Sequence, residues 1–109
     1  MDKVYDIIVI GGGPAGYTSA IYTSRSGFDT LVLEKFSAGG QMTQTTQIDH
    51  YPGFTEGVDG FELGTKMQEG AERFGAKTVQ SEVVEVNLRD KIKTIKTSNE
   101  VFLAHSVII

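Results

Sequence analysis

The sequence contains no cysteine. That excludes a disulfide scaffold and a thiolate metal site, and it puts any thiol-disulfide exchange outside these 109 residues, because such exchange needs a thiolate. A basic excess is also missing. Ten Lys and Arg against fourteen Asp and Glu leave a net charge of −4, which offers no electrostatic footprint for nucleic acid or for an anionic membrane. No apolar run approaches the roughly 20 residues of a transmembrane helix. Met1 leads through two charged residues into the first apolar stretch, so no secretory leader is expected and the cytoplasm is the default compartment. Neither an internal repeat nor a linker interrupts the chain. Its length and its 39% hydrophobic content suit one small α/β unit around one core.

What the chain does have is concentrated at its start. The apolar run from Tyr5 to Ile10 ends in Gly11, Gly12 and Gly13, and a helical pattern begins at Pro14 and Ala15. Gly11, Gly13 and Gly16 occupy the fixed positions of G-x-G-x-x-G between a strand pattern and a helix pattern. Each glycine has its own reason: Gly11 for the turn off the strand, Gly13 for close approach of backbone to a pyrophosphate, Gly16 for contact between helix and sheet. Amides at the start of the helix then point at the ligand, where the helix dipole favours negative charge. A second strand pattern, Thr30 to Leu33, ends at Glu34, which lies 34 − 16 = 18 residues beyond the last glycine. That is close to the roughly 20 expected of the acid that grips a ribose hydroxyl. These residues predict a bound adenine dinucleotide; the alternative is a structural turn with a solvated acid at the strand end.

Further along, Gly39-Gly40-Gln41 and the segment Ile48-Asp49-His50-Tyr51-Pro52-Gly53-Phe54 join Gly11 to Gly16 and Glu34 in a combination that resembles the N-terminal FAD-binding region of low-molecular-weight thioredoxin reductases. The resemblance covers nearly the whole chain. It implies FAD rather than NAD, a choice that the glycine fingerprint leaves open. It implies a Rossmann-like three-layer α/β domain, with a parallel sheet and a small antiparallel β-meander. It places Gly39, Gly40 and Gln41 against the flavin and its phosphate arm, Lys35 beside the ribose acid, and the backbone of Val83 at the adenine. The family usually has Asn where this chain has His50, so a flavin contact there is in doubt. Read from the residues alone, His50 has no nucleophile or second histidine nearby and is a surface or hydrogen-bonding group. Tyr51 either packs beside the cofactor or closes the loop.

The rest of the chain follows a β-α-β-α-β order. The first helix is expected from Pro14 to about Ser26, with Gly27 as its stop and with Gly16, Ala20 and Ser24 forming a face of small residues toward the sheet. From Lys35 to Gly57 no sustained period exists, and a loop of that length is expected to serve a ligand. Asp59 and Glu62 resemble a capping box, and Leu63, Met67, Ala71 and Phe74 mark the apolar face of a second helix that stops at Gly75. Met67 reads as core filling. A strand over residues 76–80 comes next. Three short alternating runs, 83–88, 92–97 and 101–104, then predict the meander, with the Lys and Thr of the second run on a solvated face. Residues 106–109 begin a buried strand, so the domain is expected to be truncated at its C-terminus.

The reading that follows is the N-terminal part of an FAD-binding domain, spanning residues 1–109, of a flavoprotein that passes electrons from NADPH through FAD to a disulfide. No residue of this chain is assigned a catalytic role and none a metal. The resemblance implies thioredoxin or a similar small disulfide protein as partner, a homodimer, and a second domain that carries the NADPH site and the dithiol. The 109 residues alone are not expected to turn over. Two rivals remain open from the residues: a thioredoxin-reductase-like ferredoxin-NADP reductase without a dithiol, and a dinucleotide-binding module without turnover.

Overall fold

The computed structural model describes residues 3–11, 13–35 and 60–109. Eight elements follow in the order β1 (Val4–Ile10), α1 (Pro14–Arg25), β2 (Thr30–Glu34), α2 (Gly60–Arg73), β3 (Lys77–Gln80), β4 (Val83–Asn87), β5 (Lys93–Thr97) and β6 (Val101–Ile108). The long loop expected between Lys35 and Gly57 falls outside the described residues apart from Lys35, as does the Asp59 cap.

The strands form one sheet in the order β3-β2-β1-β6-β5-β4. Its first four members are parallel, while β5 runs antiparallel to both β6 and β4. A parallel strand covered on both faces should be apolar along its covered length. β2 is apolar over Leu31, Val32 and Leu33, and its polar ends, Thr30 and Glu34, are buried as well. The side chains of β1 and β2 divide between two cores. Val9 and Val32 pack with Tyr17 and Ala20 of α1, with Ala71 of α2 and with Ala76, on the helical face. Ile8, Leu31 and Leu33 pack on the opposite face with Tyr5, Ile95 of β5 and Ala104 of β6. Helices, parallel sheet and folded-over meander therefore make the three layers.

The first helix keeps to its expected bounds within a residue. Ala20 is wholly buried and Ser24 nearly so, as the small-residue face requires. Both helices stop at the glycines named for it, Gly27 at φ +91 and Gly75 at φ +99. The two helices pack together closely, and a Cβ on Gly70 would lie 3.5 Å from Ile21 Cδ1.

Three details differ from the sequence pattern. The runs 101–104 and 106–109 are one strand, β6, whose first half pairs with β5 and whose second half pairs with β1. Nothing between Ala104 and Ser106 is a turn residue, so the chain passes from meander to parallel sheet without a break. Thr97 is buried, not solvated. Its hydroxyl donates to Glu100 O and accepts the amides of Asn99 and Glu100, which builds the β5-β6 turn. Phe74 lies beyond the end of α2 and is 46% exposed, with the Arg25 guanidinium 5.5 Å from its ring centre rather than a core against it.

Candidate dinucleotide-binding site

The site is assembled at the C-terminal ends of β1 and β2, the edge at which ligands bind to open parallel sheets. β1 leads into Gly11, whose φ of +102 is a conformation that side chains other than glycine rarely adopt. Its amide donates to Leu33 O at 2.8 Å, which ties the turn to the end of β2. Gly13 is then the N-cap of α1, and Pro14 stands at the first helical position, where its missing N–H costs nothing. The cap has no side-chain hydrogen bond, and no acid occupies the first turn. The positive end of the helix is thus not answered by a side chain of the cap or of the first turn.

The glycines differ in what surrounds them. A Cβ on Gly16 would lie 2.0 Å from Gly11 O and 3.1 Å from Gly11 C, so the helix can sit this close to the turn only without one. A Cβ on Gly13 would meet nothing within 4 Å among the described residues. Gly16 therefore serves the fold, and Gly13 faces space. Ala15, between them, is exposed.

Glu34 closes β2, only 5% exposed. Side chains alternate along a strand, so Glu34 shares the helical face with Val32, while Leu31 and Leu33 point the other way. Glu34 O accepts the amide of Ser81 at 2.8 Å, and Lys35 Nζ lies 3.3 Å from a Glu82 carboxylate oxygen. Residues 81–83 are thereby held beside the end of β2, although nearly fifty positions separate them in sequence. Val83 is half-buried and packs on the meander side of the sheet. Lys35 is exposed, and a surface pair of this kind contributes little to stability.

Gly11, Gly13, Pro14, Ala15, Gly16, Glu34 and Lys35 thus share one edge, with Val83 close by. Gly12, Gly39, Gly40, Gln41 and His50 lie outside the described residues. Among the described residues no group of three or more His, Cys, Asp or Glu could hold a metal, and no helix is long and apolar enough to cross a membrane.

Sequence reasoning passed over Tyr17, which follows Gly16 directly. It is wholly buried in the helical core, in one cluster with Val9, Ala20 and Val32. Burial pushes its phenol pKa up; Thr78 pulls it back down, and the negative charges of Glu34 and Glu72 push it up further. The signal was its register, since Tyr17 stands three residues before Ala20 and seven before Ser24 on the inner face of α1.

A pH dependence follows from that shift. A tyrosine in the unfolded chain ionises near pH 10, about where the free side chain does. In the fold the phenol holds its proton to higher pH, so its contribution is fully present below about pH 10 and is lost as pH rises toward the folded value. Denaturant midpoints measured from pH 8 to 11 are expected to fall more steeply above pH 10 for the natural protein than for Tyr17→Phe. Parallel curves would mean that the phenol ionises in the fold as it does in water.

Comparison with known proteins agrees with this geometry. The family model described as pyridine nucleotide-disulphide oxidoreductase matches residues 5–109. The chain is 42% identical over 108 residues to a thioredoxin reductase of Listeria monocytogenes and 44% identical over 108 residues to that of Bacillus subtilis, covering 99% of this chain and 34% of each relative. Among solved structures, a thioredoxin reductase from Gloeobacter violaceus superposes with a TM-score of 0.91 at 32% identity, covering 98% of this chain and 36% of that one. The Lactococcus lactis thioredoxin reductase gives 0.87 at 41% identity, over 94% and 34%. The chain spans about a third of the length of the relatives it matches. With a match over almost its entire length, the chain belongs to the pyridine nucleotide-disulphide oxidoreductase family, as a thioredoxin-reductase-like portion of such a protein.

Proposed function

We propose that this chain is the FAD-binding part of a thioredoxin-reductase-like flavoprotein in which electrons pass from NADPH through FAD to the disulfide of thioredoxin. The observation that carries the reading is the junction at the sheet edge, where the Gly11 turn is bonded to Leu33 and the next residue, Glu34, ends β2. One end of that junction suits a pyrophosphate and the other suits a ribose.

The chain's own residues account for binding and orientation. The start of α1, uncapped by a side chain and approached over Gly13, favours the two phosphates through backbone amides and the helix dipole. A carboxylate accepts only, and its two oxygens offer sites for more than one donor, so Glu34 can take ribose hydroxyls in addition to contacts made within the chain. Residues 81–83 are held beside Glu34 by the Ser81 amide, which supports the role we assign to the Val83 backbone, a contact with the adenine. Gly12, Gly39, Gly40, Gln41 and His50 complete the proposed channel on the strength of the resemblance. FAD, when bound, supplies the redox centre.

The dithiol and the NADPH site belong, in this reading, to a second domain outside residues 1–109, because the chain has no cysteine. The partner is named in the thioredoxin reductases that the chain matches. A cytoplasmic homodimer completes the proposal, supported by the family resemblance alone. The test is NADPH-dependent reduction of thioredoxin by the full-length protein and by residues 1–109, compared at equal flavin content. The full-length protein should turn over and the short chain should not. Turnover by the short chain would show that no thiol pair is needed and would overturn the assignment. An inactive full-length protein that instead reduces a one-electron acceptor such as ferredoxin would place it with the dithiol-free reductases.

A further inference from the structure

The turn between β5 and β6 is built on one buried hydroxyl. Thr97 Oγ1 donates to Glu100 O at 3.0 Å and accepts the amides of Asn99 at 3.2 Å and Glu100 at 3.0 Å, which uses its one proton and both lone pairs. The Thr97 amide adds a bond to Glu100 O at 2.8 Å. The turn so fixed reaches the approach to β4, where Ser98 N donates to Glu82 O at 3.1 Å and Asn99 Nδ2 to Ser81 Oγ at 3.4 Å. From the other side the end of β2 holds the same two residues, through the Ser81 amide on Glu34 O at 2.8 Å and the ion pair of Lys35 with Glu82 at 3.3 Å. Residues 81 and 82 are thus clamped between meander and parallel sheet. The register shows what the clamp presents, because Val83 stands opposite Thr97 in the antiparallel β4-β5 pair. Thr97 gives its amide to Glu100 O, and the bond flanking the pair runs from Ser98 N to Glu82 O, so Val83 and Thr97 exchange no backbone bonds. The N–H and C=O of Val83 therefore point away from β5. β4 is the last strand of the sheet, and among the described residues no strand lies beyond it to receive them.

We propose that Thr97 is a positioning residue for the adenine end of the dinucleotide: the turn built on its hydroxyl holds Glu82, and thereby sets the direction in which the Val83 N–H and C=O meet the purine. The inference rests on the proposed dinucleotide reading of the sheet edge, in which the Val83 backbone contacts the adenine. The chemistry matches. Adenine carries an acceptor nitrogen beside its 6-amino donor, and a backbone N–H and C=O offer the complementary donor and acceptor. Fixing that pair before ligand arrives is the gain expected of preorganisation. Thr97 itself touches no ligand. Valine has nearly the shape of threonine, yet at this position it would remove all three hydroxyl bonds and release the turn from Glu82.

The experiment titrates the flavin-stripped full-length protein with FAD and with flavin hypoxanthine dinucleotide. The two differ at the purine alone, where hypoxanthine has an accepting oxygen in place of the 6-amino donor. The natural protein is expected to prefer FAD by about fivefold, the worth of one hydrogen bond. Thr97→Val should weaken FAD binding about fivefold and bring the preference below about twofold, while Thr97→Ser, which keeps the hydroxyl, should retain both affinity and preference. A turn that served only the fold would cost both dinucleotides alike. If Thr97→Val does not fold, Asn99→Ala decides: its side chain is exposed, and losing the bond to Ser81 should lower the preference about twofold. An unchanged preference in the variant that folds, or a natural protein that binds the two dinucleotides equally, would overturn the inference while leaving FAD binding in place. A natural protein that takes up no FAD at all would instead overturn the reading on which it rests.

Discussion

Gly16→Val is expected to destabilise the protein by about 3 kcal/mol, at the upper end of what overpacking costs, whereas Gly13→Leu is expected to leave stability nearly unchanged and to abolish dinucleotide binding. The two glycines stand three residues apart in one motif, so composition gives no reason to separate them. Their surroundings do. The added Cβ at Gly16 would fall 2.0 Å from a backbone oxygen of Gly11, and backbone cannot rotate away as a flexible side chain can. The only relief is to push α1 off the sheet, which would open the core that Val9, Tyr17, Ala20 and Val32 share. At Gly13 the backbone has φ −71, which any residue adopts, and an added Cβ would meet nothing within 4 Å among the described residues. That space is where the proposed pyrophosphate approaches. A loss of at least about a hundredfold in affinity is expected there, equivalent to ~2.7 kcal/mol. Thermal melts of the apoproteins and FAD titrations of both variants would decide it. A stable Gly16→Val, or a Gly13→Leu that binds FAD normally, would reverse the assigned roles.

Glu34→Ala should weaken FAD binding by about 1.5 to 3 kcal/mol, the worth of hydrogen bonds to a charged group. In affinity that is roughly tenfold to a hundredfold. Glu34 ends a strand that is buried from Thr30 onward, in reach of the turn bonded to Leu33. A merely solvated acid would sit exposed at the strand end, and Glu34 is 5% exposed. Titration of the flavin-free protein with FAD measures the effect. A change below about twofold would mean that the carboxylate serves the sheet edge and not a ribose.

The glycine turn, both helices and the parallel strands were legible because their signals are local. Alternation, helical period and glycine punctuation each act within a few residues, and β2 is apolar through its middle, Leu31 to Leu33. The passage from meander to parallel sheet was not legible. Whether β6 breaks at His105 depends on its partners β5 and β1, which lie far away in sequence. Thr97 was misplaced for a related reason: its burial comes from a turn whose Glu100 and Asn99 draw on its hydroxyl, while the Lys-Thr alternation suggests only a wet strand. The approach of residues 81–83 to Glu34 is a tertiary fact, carried by one backbone hydrogen bond from Ser81 and one ion pair from Lys35. Tyr17 was overlooked because an aromatic on an inner helical face reads as core, and its ring is core.

The central claim is that the edge formed by Gly11 to Gly16 and Glu34 holds the adenine dinucleotide of a flavin. The most direct measurement is the absorbance spectrum and cofactor content of the purified full-length protein, with the released cofactor identified after denaturation. The account predicts a yellow protein that releases FAD in an amount equimolar with the chain, and a Gly13→Leu variant of equal stability that is colourless. A colourless natural protein that binds NAD but takes up no FAD on refolding would contradict it.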